Sequence, residues 1–320
     1  MRWPYRVDCL LLTIILSQQE PYVHAEEFKQ VKHIGKGQYG DVWKMEHAKL
    51  PCMIAVKKIV LNTSLNEKER RRWKREIEVL RKSVDHPHTV TFYGALVHNG
   101  DVWLCMELMD RSLDDLVKLI YQNLNTTIPQ GVIRNIIFAL VNGLNYLKEE
   151  LEVLHRDVKP SNILINKHGE VKLCDFGISG VLQKSVCYTN IGCARFMAPE
   201  RIDPMLGAQE GEQPKFDARS DVWSLGLTLF ELVVGHSAFP EFKTPFQKIE
   251  YIVDRPAPRL PEDLQGVNED CRQFIHACLT KDVNKRPKYK DLLEHPLLGE
   301  YQYTTEEMKS WYQDLMKQLG

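Results

Sequence analysis

Two short runs between His155 and Gly177 together carry two carboxylates and a carboxamide. The run His155-Arg156-Asp157-Val158-Lys159-Pro160-Ser161-Asn162 is followed by Asp175-Phe176-Gly177. Phosphoryl transfer needs divalent cations on the phosphates, which Asn and Asp oxygens can hold. It also needs a carboxylate to position and deprotonate an attacking hydroxyl. Asp157, Asn162 and Asp175 supply these groups in order. Upstream, Gly35-Lys36-Gly37-Gln38-Tyr39-Gly40-Asp41-Val42 places three glycines where a hairpin backbone can approach phosphates with its N–H groups. Alone, this pattern also fits a plain hairpin or a dinucleotide-binding turn. The strand-like residues from Asp41 to Met45 disfavour the latter. Lys57 lies in the apolar stretch Ala55-Val56-Lys57. A lysine there commonly snorkels to solvent, but this one can also set a cation over phosphates held by the hairpin. Glu76, or its competitor Glu78, can orient it through an ion pair.

The elements that must position these groups are legible in the apolar periodicity. Phe28 to Ile34 alternates as a strand, Asp41 to Glu46 follows the glycine turn, and Met53 to Val60 is an apolar strand. Asn66 to Lys82 reads as a helix, with Trp73, Ile77 and Leu80 on one face. Val90 to Leu96 and Val102 to Leu108 are further strands. After Asp110 the pattern turns helical, with long apolar helices over Ile133 to Leu147 and Asp221 to Val234. A strand-rich part followed by a helix-rich part predicts an α+β chain with two lobes and a boundary near Met109 and Asp110. Pro204 to Phe216 reads as a polar loop.

Composition narrows the class. The 320 residues are 43% hydrophobic and 27% charged, an ordinary globular balance. Lys and Arg number 42 against 43 Asp and Glu, a formal net charge of -1, which argues against bulk nucleic-acid binding. The 8 cysteines, scattered from Cys9 to Cys278, make neither a small disulfide scaffold nor a zinc ribbon. The apolar run Cys9 to Leu16 is too short to span a bilayer, so no stable membrane association is expected. It fits a surface-packed terminus or the core of a signal peptide, with Arg2 and Arg6 before it and Val23-His24-Ala25 as a cleavage site.

With Met197-Ala198-Pro199-Glu200 added to the runs above, the chain resembles the eukaryotic protein kinases from Phe28 to Leu298. The resemblance implies a bilobal fold, with an N-lobe over 28–109, a C-lobe over 110–298 and ATP in the cleft between them. Residues 1–27 form an N-terminal segment, and 299–320 an amphipathic helix in the place of a docking region. Ile34, Gly35, Lys36, Gly37, Gln38, Tyr39, Gly40 and Val42 would cover the nucleotide, and Ala55 would line it. Lys57 would contact its phosphates and pair with Glu76. Met106 would be the gatekeeper, with Glu107 to Met109 as the adenine-binding hinge. Asp157 would be the catalytic base and Lys159 a contact to the γ-phosphate, with Asn162 and Asp175 holding Mg²⁺. Arg286 would pair with Glu200, and Asp221 would support the catalytic loop. A kinase needs cytosolic ATP and reduced thiols, which implies the cytoplasm and allows the nucleus.

Less general stretches sharpen the resemblance. Thr89 to Leu96, Gly100 to Asp110 and Gly192 to Ile202 are similar to the MAP kinase kinases, most of all the branch that activates stress-type MAP kinases. That family is dual-specificity. It implies a downstream MAP kinase as substrate, an upstream MAP kinase kinase kinase as activator, and activating phosphorylation at Ser185 and Thr189. The family's basic-then-hydrophobic N-terminal docking motif is poorly matched by Arg2 and Arg6 before Leu10-Leu11-Leu12. A serine/threonine kinase of other specificity, or an inactive scaffold of this fold, are the rival readings. The filled catalytic positions disfavour the scaffold. The basic run Lys68 to Arg75 reads as a solvated helix face or as a contact for the phosphorylated activation segment. In the tail, Thr304 with Glu307 predicts a capping box. Met308, Trp311, Tyr312, Leu315 and Leu319 then form one apolar stripe, which suits either core packing or a partner groove.

Overall fold

The computed structural model describes residues 25–37, 40–48, 52–60, 77–81, 86–176, 193–203 and 217–318. The chain forms two compact units that part between Met109 and Asp110. In the first, β1 (Phe28–Gly37), β2 (Gly40–His47), β3 (Ile54–Ile59), β4 (Phe92–His98) and β5 (Asp101–Glu107) make one antiparallel sheet in the order β1-β2-β3-β5-β4. The period-two pattern of β2, β3 and β5 assigns their faces. Met45, Ile54, Val56, Leu96, Trp103 and Cys105 are buried together, with Phe28, Trp43 and Tyr93 packed against them. Ala55 and Lys57, the alternate residues of β3, therefore point to the opposite face.

β1 departs from the alternation expected of it. The register slips between Gln30 and Lys32 and again between His33 and Gly35. The two residues passed over, Val31 and Ile34, are 48% and 41% exposed. An extra residue in one strand of an antiparallel pair has no cross-strand partner and turns its side chain out of the pleat. Of the helix expected over 66–82, residues 77–81 are described and are helical.

The second unit starts with β6 (Arg111–Ser112) and α1 (Leu113–Lys118). α1 opens with a capping box between Ser112 and Asp115. α2 (Gln130–Glu149) is the first long helix. β7 (Ile163–Ile165) and β8 (Val171–Leu173) pair antiparallel and join β6 in a small sheet. Then come α3 (Pro199–Ile202), α4 (Ala218–Val234), α5 (Pro245–Asp254), α6 (Glu269–Cys278), α7 (Tyr289–Leu293) and α8 (Thr305–Gln318).

α4 is buried along nearly its whole length, its polar residues Asp221, Ser224, Thr228 and Glu231 included. The Asp217 carboxylate caps its start by accepting the Arg219 N–H at 2.7 Å. It ends at Gly235, whose φ of 84° and closeness to Tyr121 both exclude a side chain; a Cβ there would lie 2.3 Å from the Tyr121 ring. Tyr121 also donates its hydroxyl to the Leu232 and Val233 carbonyls, at 3.0 and 2.9 Å. These would otherwise be orphan acceptors of the last turn.

α8 begins at Thr305, but the capping box expected from Thr304 and Glu307 is replaced by a long-range bridge. The Glu307 carboxylate accepts from Asn135 Nδ2 at 2.8 Å, and the Thr304 N–H donates to Asn135 Oδ1 at 2.7 Å. Asn135, on α2 and fully buried, thus stands between the Thr304 N–H and the Glu307 carboxylate that would have accepted it. Met308, Tyr312 and Leu315 are buried, whereas Trp311 is half-buried. The stripe is core at three of its positions. Leu319 lies outside the described residues.

Candidate active site

In the second unit the catalytic-type loop is suspended from α4. Asp221, 2% exposed, accepts the backbone N–H groups of His155 at 2.8 Å and Arg156 at 2.9 Å. Two amides converging on one carboxylate hold Arg156 in the left-handed region, at φ 68°. Such a conformation persists only where the surroundings enforce it. Arg201 Nη1 adds a bond to the Arg156 carbonyl at 2.9 Å. Burial pushes the Asp221 carboxyl above the usual range, and His155, Arg201 and the two amides pull it back. His155 is buried beside Phe176, its ring centroid 6.2 Å from the phenyl ring. Burial lowers its pKa against the pull of Asp221, Asp157 and Asp175, so the ring packs as a wedge.

This loop presents Asp157. Lys159 Nζ donates to Asp157 Oδ2 at 2.7 Å, and Asn162 Nδ2 donates to the same oxygen at 2.9 Å and to the Asp157 carbonyl at 2.8 Å. Both side-chain bonds fall on Oδ2. The other oxygen, Oδ1, takes neither of these two bonds, and a general base needs an oxygen within reach of the hydroxyl it serves. The Asp157 side chain is 18% exposed, so solvent and substrate can reach it.

Asn162 and Asp175 sit at adjacent ends of the β7–β8 ladder, since Ile163 pairs with Leu173 and the Cys174 N–H donates to the Asn162 carbonyl at 3.0 Å. With its Nδ2 committed to Asp157, Asn162 turns its Oδ1 the other way. Asp175, at φ 62°, is half-buried. Two hard oxygens at one edge fit a small divalent cation that keeps several of its waters. Among the described residues there is no cluster of His, Cys, Asp and Glu that would form a protein-only metal cage. Cys174 is a buried thiol, 9% exposed.

The first unit carries the other half of the candidate set. Gly35, Val42, Lys57 and Leu104 lie in one register row across β1, β2, β3 and β5, and Ala55 faces Met106 in the next row. Lys57 is 1% exposed. Two glycines of the loop differ in kind. A Cβ on Gly40 would lie 1.8 Å from the Lys58 carbonyl oxygen, so its glycine is demanded by β3 itself. Gly35 has open space where a Cβ would be, so β3 makes no such demand there. Gly37 closes the hairpin opposite Gly40, and Lys36 pairs with Asp41. At the end of β5, Glu107 donates its N–H to the Thr91 carbonyl at 2.9 Å and accepts the Thr91 N–H on its carboxylate at 3.1 Å. Met109 is 8% exposed. Gln38, Tyr39, Glu76, Ser185 and Thr189 lie outside the described residues, as does the whole basic run from Lys68 to Arg75.

Below the catalytic loop, Arg286 and Glu200 form a two-toothed ion pair, at 2.7 Å and 3.1 Å, with the Arg286 side chain fully buried. Every remaining donor direction is used: Arg286 also reaches the carbonyls of Thr280, Arg219 and Lys281, and Ser220 donates to Glu200. Sequence reasoning missed three supports: Arg201 on the Arg156 carbonyl, Tyr289 on Asp221 at 3.4 Å, and Ser224 on the Phe196 carbonyl at 2.7 Å. Only the spacing of Ser224 from Asp221, one helical turn, hinted at any of them.

Residues 28–298 match the protein kinase domain family. The chain is 42% identical over 293 residues to the dual specificity mitogen-activated protein kinase kinase sek-1 of Caenorhabditis elegans, covering 91% of this chain and 84% of that protein. It is 39% identical over 304 residues to dual specificity mitogen-activated protein kinase kinase 7 of Homo sapiens and of Mus musculus. Those matches cover 95% of this chain, 70% of the human protein and 55% of the mouse protein. The chain thus spans little more than half the length of the mouse relative.

Proposed function

The chain belongs to the protein kinase family and, within it, to the dual-specificity MAP kinase kinases, and on that premise we propose that it phosphorylates the Thr and Tyr of a stress-type MAP kinase activation loop from Mg-ATP. The observation that carries the chemistry is the Asp157 carboxylate, tied through one oxygen to Lys159 and Asn162. The acceptor hydroxyl meets Asp157 Oδ1, its oxygen bonds to the γ-phosphorus as the bond to the β-phosphate oxygen breaks, and its proton passes to Asp157. Lys159, 15% exposed, neutralises charge on the transferred group. Lys57 neutralises the α- and β-phosphates. Bound Mg²⁺, held by Asn162 and Asp175, supplies further neutralisation of the phosphates. Cytoplasmic residence follows from the need for ATP; no helix among the described residues is long and apolar enough to cross a membrane. The test is phosphate transfer from labelled ATP to catalytically dead MAP kinases of each class, with the sites mapped. Labelling of one activation-loop Thr and Tyr is expected. Labelling of other proteins but of no MAP kinase would overturn the substrate assignment.

Regulation follows from Arg156. Its backbone is pinned from both sides while its side chain is exposed, which suits an arginine that receives a phosphate. A phosphoserine or phosphothreonine brings about -1.5 to -2 charges and strong acceptors that can order a segment. Changing Ser185 and Thr189 together to Ala is expected to lower activity after treatment with an upstream kinase by at least about tenfold. Acidic substitutions should restore part of it. Full activity in the double-alanine protein would remove both sites from the scheme.

Docking of the upstream kinase is assigned to the tail, through Trp311. Its stripe neighbours Met308, Tyr312 and Leu315 are buried, and Trp311 is half-buried. Trp311→Ala is expected to reduce activation by the upstream kinase more than it reduces the activity of an acid-substituted form. An equal fall in both, with a lower melting temperature, would make Trp311 a packing residue only.

A further inference from the structure

The β7–β8 hairpin has chemistry at one end and the tail at the other. Asn162 precedes β7, Asp175 follows β8, and three residues of each strand pair between them and the turn. At about 3.4 Å per residue, the turn lies roughly 10 Å from the two oxygen ligands. Asn166 closes that turn. Its Oδ1 accepts the His168 and Glu170 N–H groups at 3.0 and 3.1 Å, and its Nδ2 donates to the Glu170 carboxylate at 2.5 Å. Its carbonyl accepts the Gly169 N–H at 2.9 Å. A turn tied in this way moves with its strands as one piece.

Ile163, Ile165, Val171 and Leu173 are fully buried, which fixes the hairpin between its faces. A slide along its own length is resisted elsewhere. On one side Arg111 and Ser112 of β6 pair with Ile165 and Leu164, and Asp110 accepts the Lys167 N–H at 2.5 Å. At the turn the resistance comes from residues beyond 298, where the match to the protein kinase domain ends. Tyr303 donates its hydroxyl to the Gly169 carbonyl. Gly169, at φ 81°, lies so close to α8 that a Cβ would stand 2.5 Å from the Lys309 backbone nitrogen and 2.6 Å from the Thr305 carbonyl oxygen. Both are main-chain atoms, so α8 cannot yield by a change of rotamer. α8 is itself held by buried Met308, Tyr312 and Leu315 and by the Glu307–Asn135 bond.

We propose that Tyr303 and the start of α8 position the divalent cation: they hold the β7–β8 turn, and through the hairpin they set how Asn162 and Asp175 meet the metal. The Cys174 N–H donates to the Asn162 carbonyl at 3.0 Å, so the two ligands shift together. Mg²⁺ demands near-octahedral geometry with oxygens at about 2.0–2.1 Å, so a small displacement of both ligands lowers its affinity. The brace lies outside the stretch matched by the kinase domain and ties the tail of this chain to its metal site. The inference rests on the placing of Mg²⁺ on Asn162 and Asp175 in the proposed function.

The test uses the full chain, since α8 covers apolar surface of the second unit. Tyr303→Phe removes only the hydroxyl, and Gly169→Ala drives the turn off α8. Mn²⁺ serves as the probe, and its binding together with a non-hydrolysable ATP analogue is followed by electron paramagnetic resonance. Partners that orient metal ligands typically contribute 10–100-fold to affinity, and for a brace one step further out each variant is expected to raise the Mn²⁺ Kd by about three- to tenfold. The Kd for the analogue without metal should hold. Turnover should fall at limiting Mg²⁺ and return to the wild-type kcat at saturating Mg²⁺. A merely structural role would lower the melting temperature and the active fraction, but would leave the Kd of the folded molecules where it was. An unchanged Mn²⁺ Kd in Tyr303→Phe, or a loss of kcat that saturating Mg²⁺ does not restore, would overturn the proposal. Should Gly169→Ala not fold, Tyr303→Phe decides alone on the same two criteria. A wild type that binds no Mn²⁺ with the analogue would instead overturn the metal assignment in the proposed function.

Discussion

Lys57→Met is expected to lower kcat by about 10²–10³-fold, or ~3–4 kcal/mol of transition-state stabilisation, while leaving the protein folded. The two effects separate because of where Lys57 sits. It is 1% exposed in the middle of β3, between Val42 of β2 and Leu104 of β5. A buried ammonium carries a desolvation cost that an apolar side chain of similar length does not. Methionine keeps the length of the side chain and removes the charge together with the bonds the ammonium makes, so the loss of turnover is read beside a thermal melt that reports any change in stability. On the second unit, Asp157→Asn keeps the shape and an acceptor for Lys159 but cannot take a proton. It should lower kcat by about 10²–10⁴-fold with little change in the KM for ATP. Steady-state kinetics at saturating ATP, with a thermal melt of each variant, checks both. Near-normal turnover in either would remove that residue from the chemistry.

Arg286→Ala is expected to be the most damaging single change to stability, at about 3–5 kcal/mol, because it strands Glu200 as a buried, unpaired carboxylate. Glu200 is 6% exposed and would keep only the Ser220 hydroxyl among its present donors. The carbonyls of Thr280, Arg219 and Lys281 would lose their shared donor as well. For a unit of this size the loss corresponds to a fall of roughly 10 °C in the melting temperature. Arg286→Met combined with Glu200→Leu removes both charges together and should cost less than Arg286→Ala alone, since no ion is left without a partner. The comparison is a pair of thermal melts. Both variants lose the bonds to the three carbonyls, so if the double variant melts lower than the single one, the stranded Glu200 carboxylate is not what makes Arg286→Ala costly.

The chemistry was legible in the sequence because it depends on residue types at short separations. Asp157, Lys159 and Asn162 fall within six residues, and one tight loop brings them onto a single carboxylate oxygen. The strands of the first unit were legible for a similar reason. β3 and β5 are buried on both faces, so each reads as a short apolar run in the sequence itself. β1 is an edge strand with a mostly exposed surface. Little burial enforces its register, and two bulges interrupt it.

What the sequence by itself determined is the family, the division near Met109 and the helices and strands whose periodicity is strong, together with a set of candidate reacting groups. What only the tertiary structure decided is which partners close each polar bond across long separations. Glu307 looked like the local cap of its own helix, yet it bonds Asn135, 172 residues away. Arg201 gave no local sign of holding the Arg156 carbonyl, and Ser224 gave only its one-turn spacing from Asp221 as a hint that it holds the Phe196 carbonyl. Arg195 and Glu231 are 36 residues apart in the sequence, and nothing in either neighbourhood marks them as a pair. The physical reason is that a buried polar group must find a partner wherever packing puts one. Local chemistry can be read along the chain, but the choice among distant donors and acceptors exists only once α2, α4 and the segments around them have packed.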